Sequence, residues 1–157
     1  CIRDRRKETL QGFVHDEASA FFGGLAGNAG LFSTARDVAR VYQMLLNGGE
    51  IDGQRYLSKE TCQLFTTETS KISRRGLGFD KPDADDPKKG NCAPAAPAEV
   101  YGHTGFTGTC AWVDPMNELV YVFLSNRIYP DVTNRKLNQL HIRERIQGAI
   151  YDAMKKK

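Results

Sequence analysis

Apolar residues in the first half of the chain recur with the spacing of helices. The segment STARDVARVYQMLLNGG, residues 33–49, predicts the clearest helix, because its apolar residues return every three or four positions. Ser33 or Thr34 can cap this helix, and Asp37 completes a capping box with Thr34. The glycine pair that follows is expected to end it. The apolar stripe consists of Val38, Val41 and Leu45.

A second, shorter helix is predicted to begin at Ser58. Its apolar residues are Cys62, Leu64 and Phe65. The segment GGEIDGQRYL between the two helices is typical of a turn-rich connection. Residues 80–98 contain four prolines and few side chains that could pack, so this stretch is predicted to be a long surface loop or a mobile lid.

The pattern changes to strands after residue 100. The glycine-rich stretch YGHTGFTGT, the short CAWVD and the apolar run ELVYVFLSN are predicted as consecutive strands, with a turn at residues 115–117. The unbroken apolar run is expected to be a buried strand. A closing helix is predicted from residue 134 onwards, and its apolar face consists of Leu137, Ile142, Ile146, Ala149, Ile150 and Ala153. This order predicts an α+β fold with about three antiparallel strands, on which the last helix lies.

Length and charge narrow the classes of protein. At 157 residues, of which 40% are hydrophobic, the chain can form one domain with a real core. The net charge of +3 is small, and the clusters RDRRK and KKK are favoured as solvated termini, which argues against a nucleic-acid partner. No apolar run approaches the roughly 18 residues of a membrane span, and no charged-then-apolar leader opens the chain, so we expect no transmembrane segment.

The cysteines do not have the spacing of a metal site. None of the four lies in a C-x-x-C motif or has a His at ligand distance, so we predict no metal and no cofactor. One disulfide stays open, although Cys62 and Cys110 are favoured as small buried hydrophobic residues. For Cys1 we consider a lipidated cysteine and an arbitrary cut in a longer protein, and the polar residues that follow favour the cut.

Two other motifs admit both a site and a structural interpretation. His15-Asp16 could begin a metal or acid–base pair, but His141 lies far along the chain and no third ligand is evident, so a turn or cap is favoured. GGLAGNAG lacks the G-x-G-x-x-G spacing of a nucleotide loop and follows no predicted strand. Helix entry and tight packing are therefore favoured for it.

The stretch YGHTGFTGT has a packing interpretation and a catalytic one. A glycine-rich strand before a turn can serve packing alone, with His103 a hydrogen-bonded surface residue beside Tyr101. A glycine in a strand also lets another backbone or a ligand approach closely. Taken by itself, the stretch favours packing.

Several motifs in order change this balance. GGLAGNAGLFSTARDVARVYQMLLNGG, followed by GHTGFTGT, WVDP and LVYVFLSNR, resembles the C-terminal part of serine hydrolases related to class C β-lactamases and penicillin-binding proteins. The chain is most similar to the version fused behind family 3 glycoside hydrolases in Bacteroidetes-like bacteria. The resemblance runs from about Leu10 to the closing helix. It implies a partial β-lactamase/transpeptidase-like fold, with residues 1–157 forming the C-terminal portion of a single domain.

The resemblance also implies three motifs, of which one is visible. No Ser has a Lys three residues later, and the second motif, Tyr-x-Asn or Tyr-x-Ser, is not recognised among the six tyrosines. Thr133 has the required spacing to Lys136, but a threonine that opens a helix is favoured as an N-cap. The family places its Ser-x-x-Lys and Tyr motifs upstream, so the upstream part of the same chain is expected as a partner. His103-Thr104-Gly105 matches the third motif, Lys-Thr-Gly or His-x-Gly.

Each residue of this motif has a role by resemblance. The Phe106 amide would stabilise the oxyanion, Thr104 would offer its hydroxyl to the substrate, and Gly105 would let the substrate lie against the strand. His103 stands where β-lactamases carry Lys, and a neutral imidazole attracts a carboxylate less than an ammonium does. Esterase, amidase or D-amino-acid peptidase activity is therefore favoured over β-lactam hydrolysis.

The predicted function is thus a segment of an acyl-serine hydrolase. By resemblance it acts in the periplasm or cell envelope on a small-molecule or peptidoglycan-derived substrate, and this fragment alone is expected to be inactive. The alternative is a catalytically inactive module that binds glycan or peptide or serves as a scaffold. The two are distinguished by whether Ser-x-x-Lys and Tyr-x-Asn precede this segment in the complete protein.

Overall fold

A computed structural model describes residues 2–3, 8–67, 70, 72–83, 85–86 and 90–155. The helices in this part of the chain are α1 (Glu17–Phe21), α2 (Ala35–Leu46), α3 (Lys59–Thr66), α4 (Lys136–Gln139) and α5 (Ile142–Met154). The strands there are β1 (Ile2–Arg3), β2 (Glu8–Thr9), β3 (Glu50–Ile51), β4 (Gln54–Arg55), β5 (Tyr101–Thr104), β6 (Cys110–Asp114) and β7 (Leu119–Phe123). Helices thus precede the main strands and a helix closes the chain, which confirms the predicted α+β class.

The main sheet is antiparallel, with strand order β5-β6-β7. All five residues of the central strand β6 are buried, whereas β7 is half-buried except at Tyr121. The sequence therefore predicted the three strands correctly, but it predicted β7 to be the buried strand, whereas the most buried strand is β6. The position in the sheet explains this, because β6 has a hydrogen-bonded neighbour on each edge. Two short hairpins, β1–β2 and β3–β4, accompany this sheet.

One face of the sheet carries the core. Trp112 and Cys110 on β6 pack with Tyr121 on β7 and with Cys92 and Val100 from the preceding segment. Ile150 of α5 is half-buried against this cluster. On the neighbouring strand, a Cβ at Gly102 would lie 2.7 Å from Cε3 of Trp112, so the indole leaves room only for glycine there.

Helix α2 begins as predicted, but its stripe is oriented differently. Thr34 caps the helix and its Oγ1 accepts a hydrogen bond from the Asp37 N–H at 3.2 Å. Val41 is 56% exposed, so its place in the predicted stripe is wrong. The adjacent Tyr42 instead makes an edge contact with Phe79, whose ring contacts Tyr101 of β5 at 5.3 Å. This aromatic series connects the helix to the strand that carries the candidate site.

The closing helix differs from its prediction in length and facing. It breaks at His141, which has φ 48°, so that α4 and α5 are separate. The predicted apolar residues Ile146, Ala149 and Ala153 are exposed. The buried side chains of α5 are instead Arg143, Glu144, Gln147 and Tyr151.

Hydrogen bonds explain this inverted face of α5. Gln147 Oε1 accepts from the Ala93 N–H at 2.8 Å, and the Tyr151 hydroxyl donates to Asp114 Oδ2 at 2.8 Å. A buried polar group is tolerated in a core when it is hydrogen-bonded. The hydrogen bonds of Gln147 and Tyr151 therefore explain why this side of the helix faces inward. Thr133 is not an N-cap either, because its hydroxyl donates to Asp131 at 2.7 Å.

The segment 80–98 is anchored at both ends, contrary to the prediction that little of it could pack. Asp80 and Lys81 are buried at its start, and Cys92 and Ala93 are buried further along. Residues 84 and 87–89 of this segment lie outside the described residues. Whether its centre behaves as a lid stays a prediction.

Two structural interpretations of small motifs are confirmed. Asp16 caps α1 and accepts from the Ser19 N–H at 2.8 Å. Cys62, Cys92 and Cys110 are free and buried, and burial raises the pKa of Cys92 to about 12 and that of Cys110 to about 11. Cys1 and most of the two terminal basic clusters lie outside the described residues.

GGLAGNAG forms a turn between α1 and α2, in which Gly30 lies so close to the Gly24 carbonyl that a Cβ there would collide with it. Leu25, at its centre, is 82% exposed, and Leu31 and Phe32 just after it are exposed as well. Across the described residues, the structure contains no helix with the length and apolar character needed to cross a membrane.

Candidate active site

Strand β5 lies at an edge of the main sheet, and the HTG motif is at its end. On the far side of β5 from β6, Asp80 pairs with Gly102 through two backbone hydrogen bonds of 2.7 and 3.0 Å. Backbone groups of alternate residues point to the same edge of an antiparallel strand. The N–H and C=O of Thr104 therefore point to the same outer edge as those of Gly102. This edge is where a ligand chain could lie beside β5.

A tight turn follows the strand. The Gly108 N–H donates to the Gly105 carbonyl at 3.0 Å, which makes Phe106 the second residue of a β-turn. The Gly105 N–H donates to the Thr109 carbonyl at 2.8 Å and continues the ladder. Within the described part of the chain, the N–H of Phe106 has no hydrogen-bond partner. The turn thus presents the Phe106 amide as a donor at the end of the edge strand.

Gly105 lies against the Thr109 side chain. A Cβ at this position would collide with Oγ1 of Thr109 unless that hydroxyl rotated away. The resemblance attributed this glycine to close approach of the substrate, and that role stays a prediction.

His103 is exposed and held through both ring nitrogens. Its Nδ1 lies 2.7 Å from the Thr104 carbonyl oxygen, and its Nε2 lies 3.2 Å from Nη1 of Arg75. A carbonyl oxygen only accepts and a guanidinium only donates, so Nδ1 must carry the proton and Nε2 the lone pair. The tautomer is inferred from these partners. In this arrangement a guanidinium lies directly against the ring and donates to its Nε2.

The Phe106 ring makes two contacts on the surface. It stacks on the His15 ring with centroids 5.6 Å apart, and Cζ of Arg127 lies 4.7 Å from its centroid. The Arg127 N–H also donates to the Thr107 carbonyl at 3.0 Å. A cation over an aromatic face contributes about 0.5–1 kcal/mol at exposed sites. These contacts hold the turn from outside.

A cavity of about 380 Å³ opens beside the motif. It is lined by Thr104, Gly105 and Phe106, by Arg127, and by Arg143 and Glu144 of α5. Nε of Arg143 and Oε2 of Glu144 are buried without a hydrogen-bond partner among the described residues. The cavity is thus lined by a basic and an acidic side chain of α5 together with Thr104, and these two atoms lie buried behind its surface.

Sequence reasoning missed the charged residues of this site. Arg75 lies 28 positions before His103, and no local pattern connects them. Arg143 and Glu144 fall on a helix whose apolar residues predicted the opposite face. Arg127 alone left a signal, since it follows directly after a predicted strand, where functional side chains often lie.

One match to the family's second motif was also overlooked. Tyr56-Leu57-Ser58 has Tyr-x-Ser spacing. The Tyr56 hydroxyl donates to Gln54 at 3.1 Å, and Ser58 caps α3 by accepting from the Thr61 N–H at 3.1 Å. Both side chains thus have local structural roles in the connection between β4 and α3.

Comparison with known proteins decides the family. The family model described as Beta-lactamase matches residues 3–144. The chain belongs to the Beta-lactamase family. The resemblance to β-lactamase-related serine hydrolases, and the penicillin-binding-protein-like character of the chain, are thereby confirmed.

Curated relatives of this family member are more than a third identical to it over the matched region. Proteins named "Putative D-alanyl-D-alanine carboxypeptidase" from Escherichia coli (strain K12) and Salmonella agona (strain SL483) are each 37% identical over 134 residues. The Salmonella typhi protein of the same name matches equally well. In each case the match covers 85% of this chain and 31% of the relative. The chain therefore spans about a third of the length of these relatives.

Proposed function

We propose that this chain forms the sheet edge of an acyl-serine hydrolase active site, within a longer protein whose upstream part supplies the serine, lysine and tyrosine. The activity proposed is of the carboxypeptidase, amidase or esterase type on peptidoglycan-derived or related small substrates in the cell envelope. Two considerations support it: membership of the Beta-lactamase family and similarity to proteins named as carboxypeptidases. Their name refers to removal of a D-alanine that carries a free carboxylate.

The observation that carries the proposal is the amide of Phe106. It is a donor without a partner in the described residues, held at the end of an edge strand by a turn that is bonded on both sides. Acyl transfer builds negative charge on a carbonyl oxygen, and a donor that is already oriented needs no reorganisation to stabilise it. One such donor is typically worth about 3–4 kcal/mol of transition-state stabilisation. The second donor would be the amide of the nucleophilic serine.

Thr104 has the complementary role of orienting the substrate. Its side chain lines the cavity next to the turn, and its hydroxyl makes no hydrogen bond to a described residue. A hydroxyl both donates and accepts, so it suits either a carboxylate or an amide of the leaving group. Arg143 and Glu144, which also line the cavity, would complete a polar pocket for that group.

The experiment uses a pair of substitutions at Phe106 in the full-length protein. Phe106→Pro removes the amide hydrogen, and proline is favoured at the second position of a β-turn, so the turn is retained. Phe106→Ala removes the ring and keeps the amide. We expect Phe106→Pro to lower kcat for release of D-alanine from an N-acyl-D-Ala-D-Ala peptide by a hundredfold or more. Phe106→Ala should lose less than tenfold.

Equal kinetics for the proline and alanine variants would exclude the amide from catalysis. Thr107→Val serves as a control in the same turn, because this side chain does not line the cavity. The alternative function, an inactive binding or scaffold module, is consistent with the lack of Ser-x-x-Lys in these 157 residues. It predicts that the full-length protein releases no D-alanine and forms no acyl intermediate.

A further inference from the structure

We propose that His15 is a positioning residue of the active site, whose ring holds the Phe106 side chain and thereby the direction of the Phe106 amide. The inference rests on the proposed function and deepens it. It names a residue of a distant segment that acts through the turn of residues 105–108, here called the oxyanion turn. It also gives a joint role to His15-Asp16 and GGLAGNAG, two motifs that the active site described above leaves unused.

His15 contacts the oxyanion turn directly. Its ring stacks on the Phe106 ring, with centroids 5.6 Å apart and an angle of 22° between the planes. This distance lies in the range of favourable aromatic pairs. Phe106 is 61% exposed, so packing in the core does not hold its side chain. The orientation of the ring therefore depends on surface contacts such as this stack.

The residues on both sides of His15 are anchored. Val14 is 6% exposed, and Asp16 caps α1. Oδ1 of Asp16 also accepts from Nδ2 of Asn28, in GGLAGNAG, at 3.2 Å. Oδ1 of Asn28 in turn accepts from the hydroxyl of the fully buried Ser19 at 3.1 Å. GGLAGNAG thus holds the segment that carries the His15 ring.

An anchored ring at this place acts on the Phe106 amide through the backbone. The rotamers open to a side chain depend on φ and ψ of the same residue, so a contact that selects one Phe106 rotamer also favours one backbone conformation. The φ angle of Phe106 fixes the direction of its N–H relative to its side chain. This bias cannot exceed the free energy of the stack, which limits its effect on kcat to about tenfold.

The test measures release of D-alanine from N-acyl-D-Ala-D-Ala by the full-length protein. His15→Ala should lower kcat about three- to fivefold and change KM by less than about twofold, because the oxyanion develops only in the transition state. His15→Phe keeps a stacking ring and should restore most of kcat. Tyr56→Ala removes an exposed ring between β4 and α3, and as the control it should leave both constants unchanged.

A double variant separates positioning from a general structural defect. In a Phe106→Ala background the His15 ring has lost its stacking partner, so His15→Ala should lower kcat no further. Asn28→Ala loosens the anchor of His15, and any loss of kcat that it causes should likewise disappear in this background. A defect confined to α1 would instead lower kcat by the same factor in both backgrounds.

The outcomes distinguish this inference from the proposed function. An unchanged kcat in His15→Ala, a His15→Phe variant as slow as His15→Ala, or an equal loss in the Phe106→Ala background would each overturn the inference. Release of D-alanine by the wild type would leave the proposed function intact in all three cases. Absence of release by the folded wild-type protein would overturn both.

Discussion

Asp80 is the anchor that positions β5, and its removal is the sharpest test of how the site is held. The side chain is 1% exposed and accepts from the Asn91 amide at 2.9 Å in addition to its ion pair with Arg74. Its own backbone pairs with Gly102, one residue before His103. Substitution Asp80→Asn keeps the shape of the side chain and removes its charge.

The expected loss follows from the burial of the pair. Breaking a buried ion pair by removing one partner typically costs about 3–5 kcal/mol. The Arg74 side chain is 31% exposed, so its charge can still be hydrated, and we place the loss at about 2–3 kcal/mol. For a domain of this size, each kcal/mol corresponds to about 2–4 °C in Tm. Asp80→Asn should therefore lower Tm by about 4–12 °C at pH 7.

The effect should depend on pH with a defined sign. Burial opposes the charged form of Asp80, but the hydrogen bonds from Arg74 and Asn91, with the positive charges of Arg74 and Arg75, outweigh it and lower the pKa below the ordinary value of 3.8. A carboxylate with a lowered folded-state pKa contributes stability above its unfolded pKa and loses it as the pH falls through the folded pKa. The difference between wild type and Asp80→Asn should be constant from pH 5 to pH 7 and shrink below about pH 4.

Urea unfolding across this pH range measures the difference directly. Asp52→Asn is the matched control, because Asp52 pairs with Arg40 on the surface and exposed pairs contribute about 0–1 kcal/mol. Asparagine also tolerates the positive φ of 52° at this position. A loss below about 0.5 kcal/mol in Asp80→Asn, or a difference that persists undiminished well below pH 4, would refute the reasoning.

Two further predictions concern the core. Cys92 and Cys110 should be alkylated by iodoacetamide at pH 8 far more slowly than in denaturant, because burial raises the pKa of Cys92 to about 12 and that of Cys110 to about 11; peptide mass spectrometry checks this, and rapid native labelling would contradict it. Tyr151→Phe should destabilise the protein by about 1–2 kcal/mol in urea unfolding, because its hydroxyl donates to the buried Asp114. The exposed Tyr129 provides the control, and a Tyr129→Phe effect as large as that of Tyr151→Phe would contradict the assignment.

Local signals predicted the parts of the fold that are determined locally. The Thr34 cap, the Ser58 start of α3 and the three strands of the main sheet follow from neighbouring residues alone. A capping side chain and a run of alternating or apolar residues act within a few positions, so the sequence contains the whole cause. The Asp16 cap of α1 belongs to the same class.

Tertiary contacts account for the predictions that were wrong, namely the buried face of α5 and the position of Cys92. Helix α5 buries the face that carries Gln147 and Tyr151, because these side chains form hydrogen bonds with Ala93 and Asp114 from distant segments. Cys92 was placed in a proline-rich loop, yet it packs in the core beneath the sheet. The local sequence of these segments does not predict which distant residues they contact.

The candidate site likewise contains residues that the local sequence predicted and one that only the fold brings to the site. His103, Thr104 and Phe106 could be named from one stretch of sequence, because the motif is contiguous. Arg75 could not, since it reaches His103 only through the fold. The family resemblance added the order of motifs but did not indicate this cation.

The central claim is that these residues complete an active site whose nucleophile lies upstream. It is tested most directly by trapping the acyl intermediate of the full-length protein with an N-acyl-D-Ala thioester, which acylates the serine and releases its thiol, and mapping the modified residue by mass spectrometry. The account predicts an adduct on a serine outside these 157 residues, and neither an adduct nor turnover for this chain alone, which has no Ser-x-x-Lys. An adduct on a serine within the chain, or a folded full-length protein that forms none, would contradict it.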